Sequence, residues 1–191
     1  MREIALHLLD IAENSVAAES KNISIHVLEG LFKDRLSVSV IDDGCGMDKE
    51  TLQRVQDPFY TTRTTRKVGL GIPLLKLAAE MAEGSFSLQS ELGRGAWLEA
   101  DFRHSHIDRM PLGDLSATFL TLLISHPHIN WTFLYRVTDQ GERRREFMFE
   151  SAELKRELGD MSLTEPEVLT FLRGIFEEGI EAVALQSVAE S

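Results

Sequence analysis

From residue 2 to residue 19, apolar side chains return every three or four positions. At about 100° per residue, Ile4, Ala5, Leu8, Leu9, Ile11, Ala12 and Val16 share one broad arc, which predicts an amphipathic helix. Leu6 falls outside that arc, while Glu3, His7, Asp10 and Asn14 gather on the opposite side. The period then drops to two. Residues 23–28 and 36–41 read as strands joined by a loop with Gly30, Lys33 and Asp34. A short helix over residues 48–55 opens on Asp48. Residues 57–71 carry threonine and arginine without a period. A helix over 74–81 stops at Gly84, and strands over 85–90 and 96–102 flank the turn Gly93-Arg94-Gly95.

The pattern shifts near His104. Beyond a loop with Pro111 and Gly113, the sequence predicts a helix near 115–124, strands over 131–137 and 145–150, and helices near 151–158 and 165–182. This divides the chain into a first αβ domain, residues 1–103, and a small α+β region, residues 104–191, which we take as a partner-docking region. Trp131, Phe133 and Tyr135 alternate along one strand, as core residues do. His126-Pro127-His128 reads as a helix end. His104, His106 and Asp108 have the spacing of metal ligands, but no further ligand residues converge on them in the sequence. Arg143-Arg144-Arg145 reads as a solvated turn, with docking of an acidic partner as the alternative.

Composition narrows the picture. A chain of 191 residues that is 43% hydrophobic can bury one large core or two small ones. A net charge of -11 argues against nucleic-acid binding through a broad basic surface. One cysteine forms no internal disulfide and fits a reducing compartment. MREIALHLLDIAEN is too charged for a signal peptide, and no apolar run spans a bilayer. The expectation is a cytoplasmic protein with no membrane association.

Four local features carry candidate chemistry. Asp10 and Asn14 lie one helical turn apart and can face one ligand. An amide oxygen suits Mg²⁺ and a carboxylate can activate water. A solvated helix face would look the same. In Ile41-Asp42-Asp43-Gly44-Cys45-Gly46-Met47 a strand ends in acid and two glycines follow. A carboxylate there can accept from an exocyclic amine, and the glycines let a flat ring approach. A tight turn is the plain alternative. Residues 66–71, Arg-Lys-Val-Gly-Leu-Gly, open a helix whose first N–H groups suit phosphate, although the spacing fits neither a Walker A loop nor a dinucleotide fingerprint. Gly93-Arg94-Gly95 alone would be a hairpin turn.

In order and spacing together, these features resemble the ATP-binding domain shared by histidine kinases, DNA gyrase, Hsp90 and MutL, the GHKL superfamily. Asn14 in LLDIAENSVAA falls on the N-box asparagine, and Asp42-Asp-Gly44-Cys-Gly46 on the G1 box. Asp57-Pro-Phe-Tyr-Thr61-Thr62 looks like the F-box and the start of an ATP lid, Gly69-Leu70-Gly71 like the G2 box, and Gly93-Arg-Gly95 like the G3 turn. The resemblance covers residues 1–103. It implies a Bergerat-type α+β sandwich, with helices on one face of a mixed sheet, that binds ATP with Mg²⁺.

By that resemblance Asp42 reads adenine, Gly44 and Gly46 clear room for the ring, and Asn14 holds Mg²⁺. Thr61, Thr62, Lys67, Gly69, Leu70 and Gly71 meet the phosphates, and Thr61 to Lys67 form a lid. Cys45 is expected as a small buried filler, and His7 as a neighbour of the ATP site or a surface residue. Asp10 stands where hydrolytic relatives and anti-sigma-factor kinases carry a glutamate base, but it is one methylene shorter. Glu13 is the second candidate base. Lys67 replaces the first glycine of the G2 box, and Ala96 the hydroxyl residue often found after the G3 turn.

Few residues precede the first helix, so a dimerising hairpin with a phosphoacceptor histidine is not expected. The resemblance therefore implies an ATPase or protein kinase of the GHKL type that regulates a partner by binding or slowly hydrolysing ATP. The alternatives are a kinase acting in trans on a partner's serine or histidine, or a non-catalytic nucleotide-gated docking module. The pairing of a lone ATPase domain with such a tail also resembles small ATP-binding proteins associated with iron–sulfur oxidoreductases of the hydrogenase type.

Overall fold

The computed structural model describes residues 3–56, 71–159 and 161–188. The elements run α1 (Ile4–Ala17), β1 (Asn22–Gly30), β2 (Arg35–Asp42), α2 (Lys49–Arg54), α3 (Gly71–Met81), β3 (Ser85–Glu91), β4 (Gly95–Arg103), α4 (Leu115–Ser125), β5 (Asn130–Thr138), β6 (Arg144–Glu150), α5 (Ser151–Leu158) and α6 (Pro166–Val188). Among the described residues the six strands form one mixed sheet, ordered β3-β4-β2-β1-β5-β6. The β1–β5 pair is parallel and the other pairs are antiparallel.

Alternation along the strands gives the sheet two unlike faces. Ile23, Ile25 and Val27 of β1, Val38 and Val40 of β2, Leu98, Ala100 and Phe102 of β4, and Trp131, Phe133 and Tyr135 of β5 are buried on one side. Helices cover that side. α1 packs on β1 and β2, α3 on β3 and β4, and α6 on β5 and β6. The other face carries Ser24, Ser37, Glu99 and Asp101 in register, with Trp97 45% exposed. Ile4 and Leu8 of α1 are fully buried, each contributing roughly 1.5–3 kcal/mol of transfer free energy. Side-chain caps set two helix starts: Asp48 accepts from the Thr51 N–H at 2.7 Å, and Asp114 from that of Ala117 at 2.8 Å.

Two expectations change. The motif-bearing segment and the region beyond residue 103 share one sheet, because β5 pairs with β1 from Asn22↔Asn130 to Gly30↔Thr138. Residue 103 therefore marks where the motifs end, and the sheet continues past it. The polar side of α1 also does not face solvent throughout. The helix lies between α3 and α4, so both flanks are covered, and His7 is only 1% exposed. Among the described residues no helix is long and apolar enough to cross a membrane.

Candidate nucleotide site

A cavity of about 360 Å³ opens where β2 ends, between the second half of α1, α2 and the start of α3. That is within the range of small-ligand sites. Its walls are largely apolar, with Ile11, Val40, Ile72, Leu88 and Leu98, while Asn14, Ser15 and Asp42 supply polar groups. An aromatic base can lie between such walls with its polar edge toward the carboxylate.

The paired carboxylates at the end of β2 divide the work. Asp43 turns away and holds the start of β1: it accepts from the Lys21 N–H at 2.7 Å, the Asn22 N–H at 2.9 Å and the Asn22 amide at 2.7 Å. Burial would raise its pKa, but the hydrogen bonds from Asn22 and Lys21 outweigh burial and hold it below the usual value. Asp42 turns to the cavity. Its Oδ2 accepts from the Ser15 hydroxyl at 2.6 Å, and its Oδ1 from the Gly44 N–H at 2.9 Å and the Ser20 hydroxyl at 3.2 Å. Sequence reasoning missed Ser15 and Ser20. The signal for Ser15 was its place next to Asn14 on the last turns of α1.

The glycines of this loop serve backbone approach. Gly46 has φ +66°, and a Cβ there would collide with the Glu91 carbonyl oxygen at the end of β3. Gly44 lies against Ala18 and Ser20 at the end of α1. Cys45 corrects the expectation of a buried filler. It is exposed and lines the cavity, because its N–H donates to the Ala18 carbonyl at 2.9 Å and its carbonyl accepts from Gly93 at 2.7 Å, fixing the bend that turns the thiol outward.

On α1, Asn14 lines the cavity. Asp10, one turn earlier, lies against Gly71, the first residue of α3. A Cβ at Gly71 would collide with the Asp10 carboxylate, so glycine is what lets the acid reach the start of that helix. The N-terminal end of a helix favours an anion. His7 lies on the same side and donates to the Gly71 carbonyl. Burial lowers its pKa more than that hydrogen bond raises it, so the imidazole is neutral at pH 7. Its Nδ1 has no partner among the described residues.

Glu13 points elsewhere: its Oε1 lies 3.0 Å from His126 Nε2, at the end of α4. The structure thus brings Asp10, Asn14, Asp42, Gly46 and Gly71 to the α1–α3 side of the sheet and directs Glu13 toward α4. Thr61, Thr62, Lys67, Gly69 and Leu70, with the expected lid, lie outside the described residues. Just before them, Gln56 accepts from Lys76 of α3 at 3.2 Å.

The histidines of the candidate metal motif make hydrogen bonds within the protein. His104 Nε2 lies 2.7 Å from Glu29, and His106 Nδ1 accepts from the Asp108 N–H at 3.2 Å. Among the described residues no group of three His, Cys, Asp or Glu side chains converges as a metal site.

Helices layered on one face of a mixed sheet, with an acid-floored cavity at the strand ends, define a Bergerat-type α/β sandwich. The chain belongs to the histidine kinase-, DNA gyrase B- and HSP90-like ATPase family, whose model matches residues 1–106. Among its relatives, a putative sensor protein of Shewanella frigidimarina is 32% identical over 97 residues, spanning 50% of this chain and 15% of that protein. The sensor protein kinase FleS of Pseudomonas aeruginosa is 39% identical over 88 residues, 46% of this chain and 22% of the kinase. Sporulation kinase E of Bacillus subtilis is 32% identical over 88 residues, 46% of this chain and 12% of the kinase. The chain thus matches under a quarter of the length of each.

Proposed function

We propose that this protein binds ATP with Mg²⁺ in the α1–α3 cavity and turns it over slowly, passing the nucleotide state to a partner protein. The observation that carries the reading is that Asp42 and Asn14 line one cavity of about 360 Å³, while Asp10, one helical turn before Asn14, lies against Gly71 at the start of α3. Asp42 accepts from the adenine amino group, and the apolar walls hold the ring. The donor set fits Mg²⁺: the Asn14 amide oxygen, a hard ligand, would hold the ion beside the phosphates. When bound, the ion neutralises phosphate charge. Asp10 removes a proton from the attacking water as its oxygen bonds to the γ-phosphorus, and the bridging bond to ADP breaks. Aspartate reaches less far than glutamate, so turnover without a partner is slow.

Transfer to a protein side chain is the second reading, favoured by relatives that include a sensor protein kinase and a sporulation kinase. The test is Asp10→Asn, with and without partner protein. Mg·ATP affinity should stay near wild type by calorimetry, while phosphate release or protein phosphorylation is lost. Unchanged turnover removes Asp10 from the chemistry. A wild type inactive under every condition leaves a nucleotide-gated docking module. Asn14→Ala should abolish the tightening of ATP by magnesium while adenosine binds almost as before. A retained magnesium effect assigns the ion to another residue.

A further inference from the structure

Beyond the family match, α4 and α6 lie side by side, and a groove of about 650 Å³ runs between them. Phe176, 0% exposed, forms its floor, and Leu120, Ile124 and Ile180 form its walls. Ser116 ties the two helices together through a 3.1 Å hydrogen bond to the Phe176 carbonyl. Ala117, Leu120 and Ile124 make a stripe along α4, and Phe176 and Ile180 make the matching stripe on α6. Such a furrow receives the side-chain ridge of a third helix. α4 has 11 residues and is about 16 Å long, so the furrow takes three turns of that helix. Backbone N–H and C=O groups inside a helix are paired along its own axis, so an extended segment lying between α4 and α6 finds no backbone ladder to join. A helix brings its own bonds.

The charge of the rim decides the sign of the partner. Asp114, Glu177 and Glu181 line the groove, with Arg173 as the cation among the described lining residues. Along α6 as a whole, Glu167, Glu177, Glu178 and Glu181 stand against Arg173. We propose that this groove docks an amphipathic helix of a partner protein whose apolar stripe is flanked by lysine or arginine. An acidic helix would meet like charge, and an anionic membrane surface would be repelled. The inference gives chemistry to the partner invoked above. It rests on that reading only for what docking does to ATP turnover.

The probe is a fluorescein-labelled peptide of leucine and lysine in helical register, with a glutamate-for-lysine twin, titrated by anisotropy into the full chain without nucleotide. The basic peptide should bind and the acidic twin should not. The exposed double reversal Glu177→Lys/Glu181→Lys should weaken binding at least about tenfold. The reversal Glu153→Lys/Glu157→Lys on α5 makes the same change in net charge away from the groove and should leave binding unchanged. Leu120→Asp should abolish binding, with thermal melts confirming that each variant folds. Four results overturn the proposal: no binding of the basic peptide, equal binding of the acidic twin, equal loss in the α5 variant, or unchanged binding in the groove variants. Light scattering that shows a dimer broken by the groove reversals would also overturn it, since the occupant would then be a second copy. No nucleotide enters the assay, so its failure leaves the ATP reading standing, and failure of the ATP reading leaves this result standing.

Discussion

Asp42 and Glu29 sit on the same helix-covered face of the sheet, at opposite ends. Asp42 closes β2 opposite Ile23, and Glu29 lies near the end of β1 opposite Leu36. Both carboxylates accept hydroxyl hydrogen bonds, yet their surroundings differ. The partners of Asp42 are small, namely Ser15, Ser20 and the backbone of Gly44, and space remains beside them for a ring. The partners of Glu29 are large. Tyr135 donates its hydroxyl at 2.6 Å, His104 Nε2 lies at 2.7 Å, and the Glu29 side chain is left 16% exposed. Burial would push the Glu29 carboxyl up, but the hydrogen bonds from His104 and Tyr135 and the nearby Arg109 charge outweigh it and hold it below the ordinary value. What separates the two carboxylates is the volume their partners fill: open space remains beside Asp42, and Glu29 is closed in by large side chains.

The sharpest way to break this comparison is to truncate the clamp. Glu29→Ala leaves the Tyr135 hydroxyl, in a residue only 3% exposed, and the His104 imidazole without an acceptor. The expected cost is about 2–4 kcal/mol of folding stability, read by urea denaturation. ATP affinity of the folded variant, measured by calorimetry, should equal that of wild type. A loss of affinity parallel to the loss of stability would make the two ends one unit and end the contrast.

The two acids were not equally legible. Asp42 announces itself locally: strand, acid, glycine and glycine follow within seven residues, and the period of the strand fixes which way it points. Glu29 looks like any polar residue near a strand end, because His104 lies 75 positions away in the chain and Tyr135 lies 106 away. Trp131, Phe133 and Tyr135 were legible as core by alternation, while the parallel pairing of their strand with β1 was not, since pairing partners leave no mark in a local window. Of the two readings for His7, a neighbour of the ATP site or a surface residue, its burial excludes the surface one, which was open for a related reason. Periodicity identifies one apolar face, and α1 is covered on both flanks. Gly46 was read as space for a ligand, but its positive φ and its approach to Glu91 also serve chain packing, which depends on a turn far along the sequence.

Asp42, at the other end, should respond in the opposite way if it reads the base as proposed. Asp42→Asn keeps an acceptor oxygen for Gly44 and Ser20, and the rotatable Ser15 hydroxyl can accept from the new amide. Stability should therefore change little. Toward adenine the amide brings a competing donor, so ATP should bind more weakly by about 1–3 kcal/mol. Calorimetry that finds unchanged affinity in the folded variant would remove Asp42 from base recognition and leave both carboxylates as clamps.

The smallest effect is in the pH dependence of the clamp. Glu29 has a folded-state pKa below its ordinary value, so the unfolded chain takes up the proton first as pH falls. The stability contributed by the ionised carboxylate is therefore fully present above the unfolded pKa, roughly 4.3, and drains away as pH falls from there through the folded pKa. Glu29→Gln keeps the shape and an acceptor for Tyr135 but has nothing to titrate. Wild type should thus be the more stable protein near neutrality, and the gap should close with acid over the window below about pH 5. His7 adds a separate acid loss at higher pH. Burial lowers its pKa, so the unfolded chain protonates first as pH falls through roughly 6.5. That loss is common to both proteins and cancels in the difference. Urea melts of the pair from pH 7 to pH 3 measure it. A gap that stays constant to the acid end would mean that His104 and Tyr135 favour the carboxylate no more than water does, and the clamp would then be packing alone.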